Sequence, residues 1–173
     1  DIMSNHQFKN FITTLSNNIY HQLGSGHSES IYQKALLVEL HTQGFMVNGE
    51  FNIPVKYEDS KGRLHNLASE RIDVYIHKDP DSVFKDIQES DIILELKATG
   101  KFPGYSETEQ VKKYLRQFKS QGYNVPYGIV INFPQPTNSG ISDDVHAVLV
   151  ELPQPEPPNP PVQPRPTVVV NES

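Results

Sequence analysis

Glu95 and Lys97 stand two apart in Asp91-Ile-Ile-Leu-Glu-Leu-Lys-Ala98, a β-branched and apolar run that predicts a strand. Alternation puts both charges on one face and Leu94 and Leu96 on the other. A carboxylate and an ammonium on an otherwise buried strand are costly unless something uses them. On these residues alone, two readings stand: a structural ion pair at a sheet end, and a working site. Asp73, within Arg71-Ile-Asp-Val-Tyr-Ile76, is a second acid in an apolar context, and Glu29 is a third. Carboxylates converging on one point repel each other unless a cation sits between them. Oxygen-only ligands suit magnesium or manganese rather than zinc. A nearby lysine can lower the pKa of an attacking water or neutralise a pentavalent phosphate. The set suits metal-assisted hydrolysis of a phosphodiester.

The elements that must position these residues follow from periodicity. Ser4 and Gln7 make a capping-box pattern ahead of Phe8, Phe11, Ile12, Leu15 and Ile19, one apolar helix face ended by Gly24-Ser25-Gly26. A second helix is expected from Ser28, carrying Ile31, Tyr32, Ala35, Leu36 and Leu40 inward until Gly44. Glu29 then lies in its first turn, where a carboxylate also suits the helix dipole with no further role. From Phe45 the period becomes two: Phe51, Ile53, Val55 and Tyr57 alternate with polar residues, and Asp59-Ser-Lys-Gly62 reads as a hairpin turn. On the return strand Ile72, Val74 and Ile76 should share one face, with Asp73 on the other. Residues 77–90 are polar and turn-rich, a long hairpin loop or a short helix. If the strands on either side pair antiparallel, Asp73 can face Glu95 and Lys97.

Ser106 and Glu109 make a second capping box, before a helix that buries Val111, Tyr114, Leu115 and Phe118. Gln110 and Tyr114 lie four apart on one face of it. Lys112, Arg116 and Lys119 recur at spacings of four and three, a stripe that suits a nucleic-acid backbone or an ordinary solvated face. Tyr127-Gly-Ile-Val-Ile-Asn132 is a strand buried on both faces, and Val145–Leu152 a final strand. The order predicts an α/β fold, a mixed sheet flanked by helices, over residues 1–152.

Residues 153–173 differ in kind. Pro153 to Pro166 predicts an extended polyproline II tail, with P-x-x-P spacings that serve as a spacer or as a ligand for a partner protein's aromatic groove. Thr167-Val-Val-Val170 could add a strand to a partner's sheet edge; Asn171-Glu-Ser173 fits the glycosylation triplet, but with no secretory pattern in the sequence that match is discounted. The net charge of −6 argues against a generic polyanion-binding surface, though carboxylates gathered at a metal site also count toward it. The absence of cysteine excludes disulfides, zinc thiolates and cysteine nucleophiles. No apolar run approaches membrane-spanning length and no leader pattern opens the chain, so a soluble intracellular protein is expected.

Gly26-His-Ser-Glu29-Ser-Ile-Tyr32-Gln-Lys-Ala-Leu36 resembles the signature of the GxxExxY proteins, a branch of the PD-(D/E)XK nuclease superfamily. The likeness continues through Glu50…Ile53-Pro-Val55, Arg71 and Asp73, Glu95-Leu-Lys97-Ala98, Gln110…Tyr114-Leu115 and Gly128-Ile-Val-Ile-Asn132-Phe133. It covers most of residues 8–152, leaving out 77–90 and the tail. The resemblance implies a restriction-endonuclease-like core and a magnesium- or manganese-dependent nuclease acting on nucleic acid, DNA in the first place. It implies Asp73, Glu95 and the Leu96 carbonyl as metal ligands, Glu29 as an additional acid on the metal, and Lys97 as the catalytic lysine. Gln110 and Tyr114 match the Q-x-x-x-Y helix of RecB and lambda-exonuclease-like nucleases, where the glutamine positions the lysine or the substrate. A second reading keeps the fold but makes it a catalytically silent binding or structural module of a larger assembly.

Overall fold

The computed structural model describes residues 2–154 and 158–167. Two helices come first, α1 (Ile2–Leu23) and α2 (Glu29–Thr42), then the hairpin β1 (Val47–Glu58) and β2 (Leu64–Ile76). A five-residue helix α3 (Lys85–Glu89) leads into β3 (Ile92–Lys97), which α4 (Tyr105–Ser120) joins to β4 (Tyr127–Asn132), and β5 (His146–Glu151) ends the sheet. The strands lie in the order β1-β2-β3-β4-β5. All neighbours are antiparallel except β3 and β4, whose parallel pairing requires the α4 crossover. This is the expected mixed sheet with helices on both faces.

One face packs on α1 and α2. Phe8, Ile12, Leu15 and Ile19 recur at helical spacing and meet Leu36, Leu40, Val74, Leu94, Leu96, Ile129 and Ile131. The other face packs on α4 through Val111, Leu115 and Phe118 against Tyr75, Ile93, Val130 and Val150. A side chain so enclosed contributes roughly 1.5–3 kcal/mol by leaving water. β3 sits between both layers, which is why five of its six residues are buried.

Several expectations need correction. α1 already runs from Ile2, so Ser4 lies inside it and does not mark its start. Ile31 is exposed, because the inward stripe of α2 runs through Tyr32, Gln33, Leu36 and Leu40. α4 begins at Tyr105, two residues earlier than the Ser106–Glu109 pattern implies. Its cap is made instead by Glu107, which accepts the Gly104 N–H at 3.0 Å and the Ser106 hydroxyl at 3.1 Å.

The most informative departure is in β2. Val74 and Ile76 face α1 and α2, but Ile72 packs with Ile53 and Tyr75 on the α4 side. Alternation breaks where Glu50 of β1 has φ +60° opposite Asp73, and the register shifts again between Val55 and Lys56. A left-handed residue rotates the chain and reverses which face the following side chains meet. Beyond that point the hairpin leaves the sheet as an arm, turned by Asp59, whose carboxylate accepts the Lys61 and Arg63 N–H groups at 2.9 Å each. Residues 77–90 pack against α1, with Phe84 5.3 Å from the Phe8 ring and 5.0 Å from that of Phe11. No helix among the described residues is long and apolar enough to cross a membrane. Residues 158–167 are exposed and form neither helix nor strand, while Val168 to Ser173, with the strand-addition and glycosylation readings, lie outside the described residues.

Candidate active site

β2 and β3 pair through only three residues each, Val74 with Leu94, Tyr75 with Ile93 and Ile76 with Ile92. The next pair in register would be Asp73 and Glu95. There the strands part, and Asp73 Oδ2 accepts the Leu96 N–H at 2.8 Å. Along a strand the N–H and C=O of one residue point to the same edge, so the Leu96 carbonyl faces the same gap. The gap opens into a cleft of about 260 Å³ lined by Glu29, Ser30, Gln33, Arg71, Asp73 and Leu96. Ser28 caps α2 in an extended conformation and sets Glu29 in the first turn, at the rim of that cleft.

Glu95 and Lys97 stand on the α4 side of the same gap. Glu95 is only 5% exposed, and its Oε1 lies 3.5 Å from Lys97 Nζ. Its Oε2 is buried with no hydrogen-bond partner among the described residues. Burial pushes the Glu95 carboxyl up to about 8; the Asp73 charge adds to this, Lys97 opposes it in part, and Glu29 adds a little more. Asp73 is also raised by burial, against the Leu96 N–H bond; Glu29 raises it further, and Lys97 and Arg71 oppose that. Three acids therefore act on one another across the parted strands.

That arrangement fits a hard divalent cation. The donors are all oxygens, one is buried and unpartnered, and a cation would relieve the charge that burial makes costly. Among the described residues no three Asp, Glu or His side chains already stand together as a metal-holding group.

Gln110 and Tyr114 meet each other rather than Lys97: the Gln110 amide donates to the Tyr114 hydroxyl at 2.7 Å. Tyr114 is buried, and its hydroxyl is pushed up to about 12 by burial and by the neighbouring Glu95 charge. Of the basic stripe, Lys112 pairs with Glu109 at 3.3 Å, while Arg116 and Lys119 are exposed toward the far end of α4.

Two polar residues carry more of this construction than the sequence reading assigned them. Gln33 is buried on α2 and donates to the Asp73 carbonyl at 2.7 Å, tying the kink in β2 to the helix that carries Glu29. Its signal was a glutamine beside Tyr32 on an inward face. Asn132, fully buried, takes the Thr99 N–H at 2.9 Å and donates to the Thr99 and Lys101 carbonyls at 3.0 Å each. It thereby fixes the loop that follows Lys97.

A comparison with curated proteins finds no match. Among solved structures, the crystal structure of SSO0001 is similar at 17% identity and a TM-score of 0.47, over 73% of this chain and 52% of that one. The crystal structure of a protein of unknown function, AF1548, is similar at 13% identity and a TM-score of 0.37, over 61% of this chain and 47% of that one. The chain thus spans about half the length of each. A family model described as the PD-(D/E)XK nuclease superfamily matches residues 6–143. That match takes in the body of α1 through β4 and every residue around the gap, and the chain belongs to the PD-(D/E)XK nuclease superfamily.

Proposed function

We propose that this chain, within its superfamily a member of the GxxExxY branch, is a metal-dependent nuclease that hydrolyses phosphodiester bonds in DNA at the gap between β2 and β3. The observation that carries the reading is the buried, unpartnered Oε2 of Glu95 beside Asp73 and Lys97. Asp73, Glu95 and the Leu96 carbonyl would hold magnesium or manganese, with Glu29 directly or through water. When bound, the ion supplies activation of the attacking water and neutralisation of the phosphate charge.

The chain's own residues do the rest. Lys97, held by Glu95, presents its ammonium to the scissile phosphate and stabilises the charge that builds there. Gln33 and the Leu96 N–H keep Asp73 in place, so little reorganisation accompanies reaction. Arg71, at the rim of the cleft and paired with Glu50, would turn from that exposed pair to a phosphate of the substrate backbone. Tyr114 and Gln110 close the site from α4 and limit water around Glu95. Lys112, Arg116 and Lys119 would track the DNA backbone away from the gap.

The test is cleavage of plasmid and linear DNA with magnesium or manganese by the wild type and by Lys97→Ala. The reading expects cleavage by the wild type and a loss of at least about a hundredfold in the variant, with metal binding retained. A wild type that cuts nothing while binding DNA would favour the silent module, a reading that the net charge of −6 and the proline-rich stretch after Leu152 support.

A further inference from the structure

The loop from Ala98 to Gly104, directly after Lys97, displays two large aromatic residues in water. Phe102 is 63% exposed, and Tyr105, the first residue of α4, is 81% exposed. The loop backbone that leads to them is held in place. Asn132 binds the loop at Thr99 and Lys101, and Gly100 lies so close to Thr137 that a Cβ there would come within 2.1 Å of its methyl group. Pro103 between them is buried.

The place of Phe102 relative to the gap follows from the sheet register, and Tyr105 lies three residues further along the chain. Lys97 pairs with Asn132 and Asn132 with His146, so the three share one row and one face, the α4 face. Strands lie about 4.8 Å apart, which puts His146 roughly 10 Å from Lys97 along that row. The Phe102 ring sits 4.9 Å from His146, its one ring neighbour among the described residues, which leaves the rest of the ring open. Tyr105 has no ring neighbour among the described residues. The loop itself carries Lys101 and no acid, and the next acid along the chain, Glu107, is engaged with Gly104 and Ser106 in the α4 cap.

We propose that Phe102 and Tyr105 form a stacking platform for unpaired bases, so that the DNA taken by this site is single-stranded or frayed beside the scissile phosphate. Lys97 and Lys101 meet the phosphates while the aromatic rings take the base faces, the combination by which proteins hold single strands without reading their sequence. A duplex buries its base faces in its own stack and offers nothing to these rings. The inference rests on the nuclease reading for its substrate, but the platform makes a binding claim of its own.

The experiment titrates the full chain, with calcium in place of magnesium, into a short single-stranded DNA carrying one 2-aminopurine and into the matching duplex. Wild type, Phe102→Ala, Phe102→Leu and Tyr105→Ala are compared, with far-UV circular dichroism as the folding control. The wild type should bind the single strand more tightly than the duplex and quench its fluorescence. Each variant should weaken single-strand binding about tenfold and reduce the quench, while duplex binding stays unchanged. Phe102→Leu keeps an apolar group against His146, so its failure to quench isolates stacking from folding. Equal affinity and quench in all four proteins would overturn the platform, as would a duplex bound more tightly than the single strand. A wild type that cuts DNA but shows no aromatic-dependent quench sinks the platform alone. Aromatic-dependent quenching by a protein that cuts no DNA supports the platform and sinks the hydrolytic reading.

Discussion

Leu96 gives its backbone N–H to the carboxylate of Asp73, in the place where a strand-to-strand bond between β2 and β3 would otherwise form. The acid therefore does two jobs: it satisfies a backbone donor at the point where the sheet opens, and it offers its other oxygen to the cleft. Asp73→Asn keeps an acceptor for that N–H, whereas Asp73→Ala leaves it unsatisfied. Urea unfolding of the metal-free proteins should show Asp73→Ala less stable than Asp73→Asn by about 1–3 kcal/mol. Equal stabilities would mean that the Leu96 bond contributes nothing to holding the gap.

The raised Glu95 carboxyl sets a pH dependence. Its ordinary value is 4.5, and in the folded chain it stands at about 8. Between those values the native state holds the extra proton, so unfolding free energy falls as pH rises and the loss is complete above about 8. The metal-free protein should lose stability on going from about pH 5 to 8, and Glu95→Gln should flatten that slope. Thermal melts across the range read it directly; a wild type whose stability rises through this window would contradict the placement of Glu95.

Glu50 holds a left-handed backbone conformation that costs a non-glycine residue on the order of 1–2 kcal/mol. Its ion pair with Arg71 is exposed and returns little. Glu50→Gly should therefore melt no lower than the wild type, and Glu50→Val should melt several degrees lower. The reverse order would show that the kink opposite Asp73 is held by the side-chain pair instead.

The stripe on α4 gives a salt-dependent prediction. Reversing Lys112 and Arg116 to Glu should weaken DNA binding and flatten the plot of log affinity against log salt by roughly one unit per lost phosphate contact. An unchanged slope would reduce the stripe to a solvated helix face.

The layers of this fold were legible because their signals are local. Phe8, Ile12, Leu15 and Ile19 keep helical spacing, Asp59 to Gly62 is a recognisable turn, and β3 is an apolar run around two charges. The gap was less legible, because it depends on one residue breaking a period. Nothing in Arg71-Ile-Asp-Val says that Ile72 and Val74 face opposite layers; the reversal coincides with the left-handed Glu50 across the hairpin, distant in sequence and unremarkable in type. Gln33 and Asn132 were hard to assign for a related reason. Their value lies in which backbone groups they meet, and those partners are 40 and 33 residues away. The Gln110 pattern pointed toward the lysine, yet in the folded chain its amide is taken by Tyr114, four residues on along the same helix.

In the proposed function Asp73 and Glu95 hold a divalent cation for phosphodiester hydrolysis. The decisive experiment is calorimetric titration of manganese into the wild type and Asp73→Asn, with DNA cleavage assayed on the same samples. Saturable binding and cleavage are expected in the wild type, both lost together in the variant. A well-folded wild type that takes up no manganese, or a variant that binds and cuts as the wild type does, would contradict that function.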